Sequence, residues 1–159
     1  MRKLFLLGSD TAGAVAIEIG LVAPILASML LGMSELSLGF SAKLKLEQVA
    51  QTAIEKVMQG QAKANTDSAA LLKAEAASLA GVPLANVTVS FFLECVNATS
   101  GVAVVTTPYT SVCTTTEESR RYMKVIITKA HVPLFGLGFP GTNAAGNYDL
   151  TGKTSVRVQ

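Results

Sequence analysis

The fold is decided by GAVAIEIGLVAPILASMLLG, residues Gly13 to Gly32, a stretch in which Glu18 is the single charge. A helix from Ala14 to Leu36 would be about 34 Å long at ~1.5 Å per residue, against ~30 Å of bilayer hydrocarbon. Length and apolarity therefore predict a membrane-spanning helix. A carboxylate costs ~3 kcal/mol at the centre of such a span. The position of Glu18 needs a physical reason.

Downstream of this span, ELSLGFSAKLKLEQVAQTAIEKVMQG (residues 35–60) places Leu46, Val49/Ala50, Ala53/Ile54 and Val57/Met58 at intervals of three and four. Lys45, Glu47, Gln51, Glu55 and Lys56 occupy the other positions. That spacing predicts an amphipathic continuation of the same helix, ending near Gly60. Pro24 removes one amide from the helix and is expected to bend it. A polar linker follows. SAALLKAEAASLAG (68–81) reads as a short second helix capped by Asp67 or Ser68, with Leu72, Ala76 and Leu79 on one face and Gly81 and Pro83 at its end.

From Val87 the period changes to two. VTVSFFLEC (87–95) alternates Val87, Val89, Phe91, Leu93 and Cys95 with Thr88, Ser90 and Glu94. RYMKVIITKAHV (121–132) and KTSVRV (153–158) predict two more strands, and GVAVV (101–105) a shorter one. Pro133–Gly152 is rich in Gly, Pro and Asn and reads as a loop. The expected class is α+β: a long N-terminal helix, membrane-spanning and then amphipathic, packed against a small antiparallel sheet with a second short helix. The expected divisions are a leader at 1–13, a span at 14–36, the amphipathic continuation at 37–60 and an exported domain at 61–159.

Half of the 159 residues are hydrophobic and the mean hydropathy is +0.44, much of it from the first 40 positions. The net charge of +2 is too small and scattered for nucleic-acid binding. Arg2 and Lys3 favour a cytoplasmic N-terminus with the remainder sent across the membrane. Cys95 and Cys113 have neither zinc-site nor redox-motif spacing, and neither a metal nor another cofactor is expected. They form a disulfide if the C-terminal half is exported, and otherwise remain two buried thiols.

The residues G-AVAIE-IGLVAP, with glycine five positions before the glutamate, resemble the processing segment of type IV pilin-like proteins. The closest resemblance is to TadE-like minor pilins of the Tad (tight adherence) system. It implies that prepilin peptidase cuts after Gly13, that Ala14 becomes the new N-terminus, and that Glu18 accepts the freed amine of a neighbouring subunit. Departures are Ile19, where the family usually has an aromatic residue, and the distance of Arg2 and Lys3 from the cut. The resemblance implies no enzyme but a pilus-assembly component in the bacterial inner membrane. Its C-terminal domain would be periplasmic, and the protein could also enter an extracellular pilus. Its partners would be major and minor pilins, the prepilin peptidase, the inner-membrane assembly platform and the lipid bilayer. The alternatives are an uncleaved single-pass anchor carrying a periplasmic binding domain, and a type II secretion pseudopilin.

Three weaker motifs are set aside. GLGFPG (136–141) has the glycine spacing of a nucleotide loop, but neither a following amphipathic helix nor room for a later acidic ribose contact. His131 is the sole histidine, without a nucleophile or carboxylate partner in sequence, and is expected on the surface or at a strand end. Asn86-Val-Thr and Asn97-Ala-Thr match the glycosylation pattern, which carries little weight in a bacterial chain.

Overall fold

The computed structural model describes residues 11–59, 66–106, 109–135 and 141–158. Leader residues 1–10, the linker at 60–65 and most of GLGFPG lie outside them. Helix α1 runs from Thr11 to Met58 without interruption, so the span and its amphipathic continuation are one helix. Helix α2 covers Thr66–Ala80. Strands β1 (Val87–Asn97), β2 (Ala103–Thr106), β3 (Glu117–His131) and β4 (Tyr148–Arg157) form one antiparallel sheet in the order β2-β1-β3-β4. The α+β expectation holds.

The chain divides into two compact units, Met1–Leu38 and Gly39–Gln159. In the first, the described residues are helix with almost every side chain exposed, including Ile17, Ile19, Leu21, Leu26 and Leu30. An apolar surface of that extent is stable only in lipid or against other apolar surfaces.

The second unit holds the hydrophobic core. Leu46, Val49, Ala50, Ala53 and Ile54 of α1 are buried with Leu72, Ala76, Ala77 and Ala80 of α2 and with Val87, Met123, Val125 and Ile127 of the sheet. The three-four spacing along residues 46–57 is thus the core-facing stripe, although Met58 is exposed. Leu79 is also exposed, contrary to expectation: α2 seats its alanines Ala76, Ala77 and Ala80 in the core, which draws the helix close and turns Leu79 outward.

Two strands are longer than their apolar runs. β3 begins at Glu117 rather than near Arg121, and β4 at Tyr148 rather than Lys153, so the loop after His131 ends earlier than its composition implies. Gly152 lies in the middle of β4, opposite Ile127. A Cβ there would come within 2.5 Å of the Leu46 carbonyl carbon and 2.6 Å of its oxygen. The glycine is required because α1 crosses β4 with backbone against backbone.

Turns are closed by asparagines. Asn97 Oδ1 accepts the amides of Thr99 (2.9 Å) and Ser100 (3.0 Å) in the β1–β2 turn, which Gly101 completes at φ 68°. Asn143 Oδ1 accepts the amides of Ala145 and Asn147, both at 3.0 Å, before β4.

Candidate functional site

The Gly13–Ala14 bond lies inside α1, and Glu18 stands one helical turn beyond Ala14. Glu18 is exposed, and among the described residues no hydrogen bond or ion pair reaches it. The described part of the fold therefore does not employ this carboxylate.

The glycines of the same segment lead to the same conclusion. A Cβ placed at Gly13, Gly20 or Gly32 would meet nothing within 4 Å. Each glycine weakens a helix by about 1 kcal/mol relative to alanine. Intrachain packing gives no return on that cost, in contrast to Gly152. Among the described residues nothing packs against these positions. The most apolar window of the helix is likewise wholly unburied, and its length and composition suffice to cross a membrane. Ser28 and Ser34 return their hydroxyls to the Ile25 and Leu30 carbonyls at 2.8 and 2.9 Å, so neither is left as an unpaired polar group on the apolar surface.

Glu35 was not singled out by the sequence pattern. It follows the apolar run, where a first charge reads as the membrane boundary, yet it is only 4% exposed and is the sole buried charged residue among those described. Hydropathy alone contains no signal for that burial.

In the second unit Cys95 and Cys113 are disulfide-bonded, with Cα atoms 5.5 Å apart. The bond ties β1 to the segment that returns toward β3. Tyr109, on that segment, packs edge-on against Phe91 at 5.5 Å, and the Arg121 guanidinium lies 5.5 Å from the Tyr109 ring centre. The segment thereby covers part of the sheet face that carries the core. Glu117 brings a carboxylate within 4.8 Å of both sulfurs. A bond between the sulfurs consumes the thiolates a metal would need.

On the opposite sheet face, Phe92 and Tyr122 are cross-strand partners and stack at 5.2 Å. Glu118 accepts from Arg120 Nη2 at 3.1 Å and Arg157 Nη2 at 2.9 Å. The Arg120 hydrogen bond, followed by that of Arg157, holds the Glu118 carboxyl below the usual range, and Glu118 in turn raises Arg120. Glu117 is lowered by the hydroxyl and amide of Thr114. The Glu118 pairs tie β3 to β4, and the Glu117 pair closes the turn that leads into β3. His131 ends β3, half-buried, at the expected strand terminus.

Residues 13–54 match the family model described as TadE-like protein. No curated protein and no solved structure matches the chain. The match begins at Gly13, contains Ala14 and Glu18, and extends into the part of α1 that enters the core. The resemblance read from the Gly13–Glu18 spacing is borne out.

Proposed function

We propose, from the TadE-like character of residues 13–54, that this protein is a minor pilin or pseudopilin that takes part in assembly of a Tad-type adhesive pilus. Prepilin peptidase cuts after Gly13, and the mature chain runs from Ala14 to Gln159. The N-terminus faces the cytoplasm before the cut, and the sheet domain lies on the other side of the membrane. Assembly proceeds by packing of α1 against the corresponding helices of major and minor pilins.

The observation that carries this reading is the pairing of an exposed, unengaged Glu18 with a glycine five residues earlier that packing does not require. Cleavage creates an α-ammonium at Ala14. Opposite charges attract strongly in a low-dielectric helix bundle, and each offsets the cost of burying the other. Apolar helix surfaces alone set axial stagger poorly, because sliding by a turn loses little contact. A single Glu18–Ala14 pair between neighbouring molecules fixes the register, as one buried polar residue does in a coiled coil. The open positions at Gly20 and Gly32 then allow close helix approach.

Mass spectrometry of the protein from host membranes tests processing: the expected N-terminus is Ala14, and an intact Met1 with peptidase present would exclude it. Replacing Gly13 with leucine separates the pilin from an uncleaved anchor, since only the pilin is left as an assembly-dead precursor. Glu18→Gln is expected to be cut yet to be missing from isolated pili. Intact pili containing Glu18→Gln at the normal level would overturn the pairing. Scoring surface pili against exoprotein release in a deletion strain distinguishes a type II secretion pseudopilin.

A further inference from the structure

We propose that the outer edge of β2 is a strand-addition site for a second copy of this chain, with the two β2 strands pairing antiparallel about Val104. The sheet has two edges, and they differ in kind. β4 is ten residues long and turns Asp149, Lys153 and Arg157 outward on one face, the charge pattern with which natural edges discourage pairing. β2 has no such guard. Cys95–Thr116 contains no charged residue at all, and Val102, Val104 and Val105 on this edge are each more than half exposed. Strand-forming residues with no charge and open backbone are what an added strand requires.

The register follows from hydrogen-bond parity. Asn97 N donates to the Val102 carbonyl at 2.9 Å, and the ladder continues through Cys95↔Val104 and Leu93↔Thr106. Residues 102, 104 and 106 therefore direct their amides and carbonyls toward β1. Ala103 and Val105 direct theirs to the open edge. Two copies centred on Val104 place Ala103 opposite Val105 of the second copy, and Val105 opposite its Ala103. Both pairs exchange amide–carbonyl bonds, and the two Val104 side chains meet in the close non-hydrogen-bonded position.

The edge is thus self-complementary in its backbone hydrogen bonding, and no charge on it opposes the pairing. A two-fold contact of this kind closes on itself. Pairing β2 with β4 of another copy would instead set Lys153 and Arg157 beside the valines and leave edges free at both ends. The disulfide from Cys95, directly opposite Val104, holds the strand behind the edge in place. The contact is short, so it gains most where the chains are already concentrated side by side, as in a membrane. This inference does not depend on cleavage or on Glu18, and its test does not touch α1.

The test is hydrogen exchange of the full chain in detergent micelles, disulfide intact, at low and high protein concentration. The Ala103 and Val105 amides are expected to slow by about tenfold at the high concentration, while β4 amides are unchanged. Val105→Lys is expected to abolish the slowing. Ala103→Pro, which removes only an outward amide and leaves the β1 ladder intact, is expected to do the same for Val105. Unchanged Ala103 and Val105 exchange would overturn the proposal, whether the particle holds one chain or two joined through their helices. Protection that appears at β4 as well would replace it with an open β2–β4 array.

Discussion

Gly152 and Gly13 are both glycines without a positive φ, yet one is demanded by the fold and the other is not. At Gly152 a methyl group would collide with the Leu46 backbone, which cannot rotate away as a side chain can. Gly152→Ala is expected to destabilise the protein by about 1–3 kcal/mol, the usual cost of overpacking. Urea denaturation followed by circular dichroism measures it, with Gly20→Ala as the control that leaves stability unchanged or higher. Glu118 provides a second test. Its folded-state pKa is lowered, so its contribution is present above the usual glutamate range and is lost as pH falls through the lowered value. Melting temperatures between pH 7 and pH 3 are therefore expected to fall less steeply in Glu118→Gln than in the wild type.

At the scale of elements, apolar spacing carried most of the fold. The run from Gly13 and the three-four stripe through Val57 were sufficient for α1, and period two was sufficient for β1 and the middle of β3. What spacing missed has identifiable causes. The start of β3, EESR, has polar side chains because it lies beyond the part of the sheet that the helices cover, so it carries little hydrophobic signal. The first half of β4 was obscured by Gly152, which reads as a turn residue until the crossing of α1 explains it. Leu79 was misplaced because two adjacent alanines, Ala76 and Ala77, compete with it for the buried side of α2. Gly13 and Glu18, the residues of the proposed site, stand out in the sequence because a lone charge in an apolar run is conspicuous. Glu35 was hidden by its place at the end of that run. The cysteines could be paired only conditionally from sequence. In the structure their bond fastens the Tyr109 segment over β1. Replacing both Cys95 and Cys113 with serine is expected to cost about 2–4 kcal/mol, and to accelerate exchange in the segment before β3 more than in β4. Equal acceleration throughout would mean that the bond acts on the whole domain instead.

For the whole molecule, the division at Leu38/Gly39 separates two kinds of stability. Among the described residues, every member of the hydrophobic core lies at or after Leu46, and the most apolar window of α1 is unburied. A chain beginning at Gly39 is therefore expected to fold cooperatively without detergent, with a single thermal transition and native strand content. The full chain is expected to require detergent or membrane. Analytical ultracentrifugation and circular dichroism on the two chains decide this, and aggregation of the shorter chain would show that residues before Gly39 are needed for folding.

One mechanical result follows from the unbroken course of α1. Tension applied along the N-terminal part of α1 is carried by the backbone hydrogen bonds of that helix. Pro24 supplies no amide to the Gly20 carbonyl, so the series is one bond short at that turn. A pulled molecule would lengthen there first, giving a short, recoverable extension before the sheet bears load. Force spectroscopy should find that step absent in Pro24→Ala, and an unchanged step would assign the give to another part of the chain.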